Sequence, residues 1–242
     1  MKNLMIASII ASLLLGACSS TDNRLSEAPK ASSPKQRDIP KGCPDGIIDW
    51  AHLVKWNDIN YVKNFESDIS GLIKGEKIGE VEFTMNDVAC SDYQMINGDA
   101  TIAPIGTLLY RVQGYEQDYR IFVGNDLYEA KEKPNVKTLG DLYDIEGKVK
   151  KISFESTEDG SLLYDFTPEA TSEFVLEFLK LEYKGFNEVY KFMQHDEQKV
   201  FLRFTLQDGS SFRESYWYAD GVIASGLAND QLKEILLSQM KK

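Results

Sequence analysis

The chain has 242 residues, of which 43% are hydrophobic and 11% aromatic, enough for one large domain or two modest ones with a packed core. Its 38 acidic residues outnumber its 27 basic residues, so the formal net charge is −11. Nucleic-acid affinity comes mainly from Lys and Arg side chains that displace counterions, so this acidic composition excludes DNA and RNA as expected partners.

Residues 1–17 have the pattern of a secretion signal. Lys2 is the only charged residue, a run of Leu, Ile, Ala and Ser follows it, and small residues end the segment. The apolar run is shorter than the roughly 20 residues that a membrane-spanning helix needs. The pattern therefore predicts a cleaved signal peptide, and its removal would change the net charge from −11 to −12 because only Lys2 is lost.

Leu15, Gly16, Ala17 and Cys18 resemble the lipobox of bacterial lipoproteins, in which small residues precede a cysteine that becomes lipid-modified. The resemblance implies cleavage after Ala17, a diacylglycerol on the Cys18 thiol and acylation of the new amino terminus. It also implies attachment to the extracytoplasmic face of the cell membrane, since two fatty chains at ~0.8 kcal/mol per buried methylene hold a protein stably. The alternative is an ordinary secretory signal that happens to contain a cysteine.

Residues 18–42 are predicted to form a flexible linker. They are rich in Ser, Pro, Lys and Asp and poor in apolar residues. Their basic charges are spread along the segment, which favours a solvated linker over a segment bound to anionic lipid headgroups. The membrane contact is therefore expected to be made by lipid on Cys18 alone.

Cys43 and Cys90 remain as an even pair once Cys18 is assigned to lipid. Disulfides persist in exported proteins, so a bridge between the two is predicted, with two free thiols as the alternative. The bridge would contribute ~4 kcal/mol by the chain-entropy estimate. His52 and His195 are not spaced with a cysteine for tetrahedral coordination, so neither a metal site nor another cofactor is expected.

Residues 43–140 are predicted to form a β-rich domain, either a meander or a small barrel. Short apolar runs alternate with turn signals in IIDWAHLVKW, NDINYV, KIGEVEFTM, GTLLYRVQGY and YRIFVGNDLYEA. Gly124, Asn125 and Asp126 suit a tight hairpin turn because these residue types tolerate positive φ. The glycines of GLIKGEKIG are not followed by the Lys-Ser/Thr of a phosphate loop, and they are interpreted as turns between strands.

Residues 141–242 are predicted to form an α+β domain. IEGKVKKISFES and SLLYDF read as a hairpin with Asp159 and Gly160 in its turn. VFLRFTL and SFRESYWY read as a second hairpin around residues 207–210. Alternation along VFLRFTL directs one set of side chains inward: Val200, Leu202, Phe204 and Leu206.

Two helices are predicted to pack on this second block. Thr167 suits the cap of the first and Pro168 its first turn. Its apolar positions recur at helical spacing: Phe174, Phe178 and Leu181. Asn229 suits the cap of the last helix, whose apolar stripe is Leu232, Ile235, Leu236 and Met240. The mixed charges of its polar face favour core packing over a membrane-binding or partner-binding face, so the whole chain is expected to have a β-rich α+β fold.

Motifs for catalysis are missing from the sequence. It contains no Gly-x-Ser-x-Gly nucleophile turn, and its acidic turns do not have the ligand spacing of a calcium-binding EF-hand loop. A pair of carboxylates for hydrolysis stays open, because their separation is a property of the folded chain.

The best candidate for ligand contact is the aromatic group Tyr216, Trp217 and Tyr218, since aromatic faces stack on sugars or peptides. The alternative is that alternate members of this group face the core. CPDGIIDW, NGDATIAPIGTLLYRVQGY and LGDLYDIEGKV resemble segments of uncharacterised lipoproteins of Gram-positive bacteria, which implies a surface location and no assigned site residues. The expected function is a noncatalytic module that binds an envelope protein, peptide or glycan, with an envelope hydrolase as the alternative.

Overall fold

The computed structural model describes residues 37–47, 49–194 and 198–240. These residues form two β-sheets with helices packed on the second, which confirms the β-rich α+β fold. Within the described residues, no helix is both long enough and apolar enough to cross a bilayer. Cys18 and the predicted signal peptide lie outside the described residues, so lipid attachment stays a prediction.

The first sheet is a curled half-barrel of eight strands in the order β3-β6-β7-β8-β2-β1-β5-β4. Neighbouring strands are antiparallel except for the short β4–β5 pair, which is parallel. The strands are β1 Leu53–Trp56, β2 Ile59–Lys63, β3 Lys74–Glu80, β4 Phe83–Thr84, β5 Asp99–Ala100, β6 Leu108–Val112, β7 Arg120–Val123 and β8 Asp126–Glu132. Gly124 and Asn125 connect β7 to β8, so Asp126 begins a strand and does not lie in the turn.

The glycines of GLIKGEKIG do not all lie in turns as expected. Gly71 is in a turn, but Gly75 and Gly79 lie within β3. A Cβ at Gly79 would overlap the Trp56 indole, so the missing side chain makes room for the ring. The prediction of turns was wrong for these two residues because a glycine that admits a neighbouring side chain looks the same in sequence as a turn glycine.

The second sheet has six strands in the order β10-β9-β11-β12-β13-β14. They are β9 Val149–Glu155, β10 Leu162–Asp165, β11 Lys199–Leu206, β12 Ser211–Trp217, β13 Val222–Ile223 and β14 Gly226–Leu227. The hairpin around residues 207–210 is confirmed, with Thr205 opposite Ser211 at its closed end. Leu202, Phe204 and Leu206 are fully buried in the core beneath this sheet.

Both predicted helices occur and contact each other over the second sheet. The helices are α1 Leu139–Leu142, α2 Pro168–Lys180, α3 Phe186–Val189 and α4 Asp230–Met240, with a 3-10 helix at Tyr190–Phe192. Thr167 caps α2 by accepting from the Ala170 N–H, and Asn229 accepts from the Leu232 N–H at 2.8 Å. The apolar face of α2 is buried against the sheet through Phe174 and other side chains, and that of α4 joins the same core.

The predicted disulfide between Cys43 and Cys90 is present, with the two Cα atoms 4.9 Å apart. It fastens the start of the described chain to the loop between β4 and β5. Arg37 adds a second attachment, because its Nε lies 2.6 Å from the buried Asp99 carboxylate. The first residues of the folded part are therefore fixed to the β4–β5 edge of the first sheet.

Side chains join the two sheets along their shared boundary. Asn64, which follows β2, donates from Nδ2 to the Ser211 carbonyl at 2.8 Å, and the Ser211 N–H donates to Ser67 Oγ at 3.0 Å. Tyr115 donates its hydroxyl to the Asp208 carboxylate at 2.5 Å. Residues from Arg37 onward thus form one compact unit, although their strands belong to two sheets that divide between β8 and β9.

Candidate binding cleft

Two adjacent cavities lie where the sheets meet, and together we call them the seam cleft. Their volumes are about 220 and 350 Å³, and both are lined by Lys131 of β8 and Arg213 of β12. The smaller cavity is otherwise lined by Val62, Lys63, Asn64, Phe65, Glu66, Glu129 and Phe212. The larger is otherwise lined by Tyr143, Phe186, Met193, Glu214, Ser215, Trp217, Ala224 and Ser225. The seam cleft therefore takes its walls from both sheets.

The larger cavity has an apolar end. Phe186 begins α3 and is 60% exposed, although a Phe side chain gains free energy when it is buried. Its ring centroid lies 5.8 Å from that of the exposed Tyr190. Met193 and Trp217 line the same cavity. This end offers apolar and aromatic surface to a ligand of matching chemistry.

The three aromatic residues singled out in the sequence lie in different surroundings. Tyr216 is only 2% exposed and belongs to the core of the second sheet. Trp217 lines the seam cleft, with Lys199 Nζ 5.9 Å from its ring centroid. Tyr218 follows the end of β12 and is 39% exposed. Trp217 is thus the member placed at the cleft, while contact of any of the three with a ligand stays a prediction.

A buried ion pair lies behind the cleft. Arg120 of β7 is fully buried, and its guanidinium lies 2.6 Å from the Glu129 carboxylate of β8. Arg120 also donates to Ser210 Oγ at 2.8 Å, in the turn between β11 and β12. The rings of Tyr115 and Tyr119 have their centroids 4.8 and 4.9 Å from the guanidinium carbon. The hydrogen bond to Ser210 therefore connects Arg120 to the second sheet, whereas its ion pair with Glu129 joins two neighbouring strands of the first sheet.

Lys131 extends this charge network into the cleft. Its Nζ lies 3.9 Å from both the Glu129 and the Glu214 carboxylates. Tyr143 donates its hydroxyl to Glu214 at 2.7 Å. Burial raises the pKa of Glu214 above its ordinary value and the negative charge of Glu129 adds to the rise, while Lys131 and the Tyr143 hydrogen bond partly offset it. Glu214 therefore holds a proton more readily than a solvent-exposed glutamate does.

A second charge network fixes the position of Arg213. Glu155 of β9 accepts from the Nε atoms of both Arg203 and Arg213, one on each oxygen. Glu66 pairs with the same two arginines, at 3.0 Å from Arg213 Nη1. Because Glu155 and Arg203 are buried, these ion pairs are less screened by salt than surface pairs. Arg213 therefore has little freedom to leave the wall of the cleft.

A cavity of about 530 Å³ near α1 and α2 is a weaker candidate although it is larger and strongly acidic. Three of its five carboxylates already have structural roles. Asp118 pairs with Lys133 at 2.7 Å, and Asp144 accepts from the Glu116 N–H at 2.8 Å. Asp141 completes the capping box of α1. Among the described residues, no three His, Cys, Asp or Glu side chains are grouped so that they would hold a metal ion.

Sequence reasoning missed Arg120 and Glu129, yet a signal for them was present. The two-residue turn of Gly124 and Asn125 fixes the β7–β8 register, and this register places Arg120 directly opposite Glu129. Opposite charges that face each other within apolar strands indicate a buried pair. No comparable local signal connects Lys131 with Glu214, which come together only when the sheets meet.

Comparison with known proteins gives no relative for this arrangement: no protein-family model, curated protein or solved structure matches the chain.

Proposed function

We propose that this protein is a noncatalytic binding module, held at the extracytoplasmic face of the cell membrane by lipid on Cys18, and that the seam cleft is its binding site. The observation that carries the proposal is the composition of the cleft. The exposed ring of Phe186 and the half-buried ring of Trp217 line the same cavity as the charged groups of Lys131, Arg213 and Glu214. Binding sites combine apolar walls with a few positioned polar groups in this way.

The charged groups favour binding over chemistry. Arg213 is held by Glu155 and Glu66, and Lys131 lies between Glu129 and Glu214. Such paired groups are preorganised to accept and donate hydrogen bonds at little cost in side-chain entropy. Among the described residues that line the cleft there is also no His or Cys side chain, the residue types that most often serve as base or nucleophile in a covalent mechanism.

The anchor is tested apart from the cleft. Wild type and a Cys18→Ala variant are expressed in a bacterium and separated into membrane and soluble fractions. Wild type is expected in the membrane fraction, and its mass is expected to exceed that of the cleaved polypeptide by two or three acyl chains. Cys18→Ala is expected to lose both the membrane association and the added mass. Membrane retention of a Cys18→Ala chain that still carries lipid mass would refute the anchor.

The binding site is tested with two probes, a library of random nonapeptides and a panel of soluble oligosaccharides, on the lipidated chain in detergent micelles. Phe186→Ala is expected to weaken the binding of a selected probe about tenfold, since removing an aromatic contact costs more than 1 kcal/mol. Leu163→Ala is the matched control, because Leu163 is exposed on β10 and does not line the cleft. Equal binding by both variants, or no binding by wild type, would contradict the proposal.

One observation favours an envelope hydrolase as a second candidate. A raised pKa such as that of Glu214 is typical of a general acid, and Glu129 supplies a second carboxylate, since Lys131 Nζ lies 3.9 Å from both groups. In that case Glu214→Gln would abolish turnover of a panel of chromogenic glycosides, whereas Glu158→Gln, in an exposed turn, would leave it unchanged. Absence of turnover by wild type would remove this candidate.

A further inference from the structure

One edge of β12 is incompletely paired along the seam cleft. On one side, every residue of β12 (Ser211–Trp217) pairs with a residue of β11 (Lys199–Leu206). On the opposite side, β13 pairs only with Tyr216 and Trp217. The stretch from Ser211 to Ser215 therefore has a ladder on one side alone.

The direction of each backbone group on β12 follows from Ser211. Its N–H donates to Ser67 and its carbonyl accepts from Asn64, so both groups point away from β11. In an antiparallel ladder, alternate residues direct their backbone groups to the same side. Arg213 and Ser215 must therefore also direct their N–H and carbonyl groups away from β11, towards the cleft that both residues line.

Within the described residues, three of these four groups have no hydrogen-bond partner. The Ser215 carbonyl accepts from the Ala224 N–H at 3.4 Å. The N–H and carbonyl of Arg213 and the N–H of Ser215 make no hydrogen bond with any group in the described part of the chain. Backbone donors and acceptors that face a cavity in this way are the groups that an added strand satisfies.

We infer that the seam cleft binds an extended peptide, which adds to the open edge of β12 at Arg213 and Ser215. Two peptide carbonyls accept from the Arg213 and Ser215 N–H groups, and one peptide N–H donates to the Arg213 carbonyl. A parallel or an antiparallel strand makes these same three bonds. The inference rests on the proposed binding function and names the ligand class for its site.

The surroundings of the edge fit such a strand. An added strand lies about 4.8 Å from its neighbour, and the two cavities that meet at Arg213 supply space on either side of this residue. Phe186 and Met193 lie at one end of the path and Phe65 at the other. The peptide is therefore expected to carry apolar side chains on both sides of its hydrogen-bonded residue. A glycan has no alternating donors and acceptors along an extended backbone to match this edge.

The first test is hydrogen exchange on the lipidated full chain in detergent micelles. Without ligand, the Arg213 and Ser215 amides are expected to exchange at least about a hundredfold faster than those of Phe212 and Glu214, whose groups face β11. With a nonapeptide selected from a random library, the two exposed amides are expected to become protected. A bound peptide that leaves both amides unprotected would overturn the inference.

The second test compares Ser215→Pro with Ser215→Ala. Both remove the hydroxyl, but only proline removes the N–H, and this N–H takes no part in the β11 ladder. The selected peptide is expected to bind Ser215→Pro about tenfold more weakly than Ser215→Ala. The reason is that one hydrogen bond is lost and the peptide carbonyl that accepted it is left unpaired. Should Ser215→Pro not fold, N-methylation of each peptide amide in turn against wild type replaces it, and one position is expected to abolish binding.

The outcomes separate this inference from the proposed function. If an oligosaccharide or a peptide binds, Phe186→Ala weakens it and the Arg213 and Ser215 amides stay unprotected, then the cleft is a binding site but strand addition is wrong. If no probe binds, both are wrong. Equal affinity of Ser215→Pro and Ser215→Ala for the selected peptide also overturns strand addition alone.

Discussion

Replacement of Arg120 by Met tests whether the buried ion pair between β7 and β8 stabilises the fold. The substitution keeps an unbranched side chain of similar length but leaves the buried Glu129 carboxylate without its partner at 2.6 Å. Removing one member of a buried pair costs about 3–5 kcal/mol. Loss of the hydrogen bond to Ser210 adds about 1 kcal/mol. The free energy of unfolding should fall by about 4–6 kcal/mol, a large part of the 5–15 kcal/mol typical of a domain.

Urea unfolding followed by tryptophan fluorescence measures this loss, and a double variant supplies the control. Arg120→Met combined with Glu129→Gln removes the uncompensated charge, so it should be more stable than Arg120→Met alone by about 2 kcal/mol or more. If the two substitutions acted independently, their losses of stability would add, and the double variant would be less stable than Arg120→Met. That order, or a loss below about 1 kcal/mol in Arg120→Met, would refute the structural role of the pair.

Three further outcomes are expected from unfolding measurements. Cys90→Ser should lower the free energy of unfolding by about 4 kcal/mol, because the disulfide closes a loop with a sequence separation of 47, and reductant should then no longer shift its unfolding midpoint. Burial raises the folded-state pKa of Glu214 above 4.5. Protonated Glu214 therefore adds to the free energy of unfolding below pH 4.5, and this contribution is lost as the pH rises through the raised pKa. Glu214→Gln should therefore gain stability relative to wild type as the pH rises above 4.5, and a constant difference would contradict this. Gly79→Ala should lose about 1–3 kcal/mol by its overlap with Trp56, whereas Gly46→Ala, with open space around the added methyl, should be neutral within about 0.5 kcal/mol.

The elements that were predicted correctly depend on local signals. The β11–β12 hairpin is fixed by turn residues between two alternating strands, and α2 by Thr167 and Pro168 at its start. Each signal lies within a few residues of the structure that it specifies. The Cys43–Cys90 bridge was predictable for a different reason, because only one pairing remains once Cys18 is set aside.

The candidate site was mostly beyond such reasoning. Lys131 and Glu214 lie on strands of different sheets, and their approach depends on how the sheets meet. The open edge of β12 depends on where β13 stops, which no residue of SFRESYWY indicates. Trp217 was singled out in the sequence and lines the seam cleft, but which of the two neighbours Tyr216 and Trp217 faces the core depends on the orientation of β12.

One backbone dihedral decides how much of β12 is covered. Ala224 has φ of +49°, a conformation that turns the chain after the two residues of β13 and starts the return along β14. This conformation costs an L-residue about 1–2 kcal/mol relative to the right-handed regions, so the short hairpin is maintained against a local energetic preference. A chain that stayed extended at this position would continue the ladder past Ser215 and close the edge. Because the chain turns at Ala224, β13 ends at Ile223 and the stretch of β12 before Ser215 has no neighbouring strand on that side.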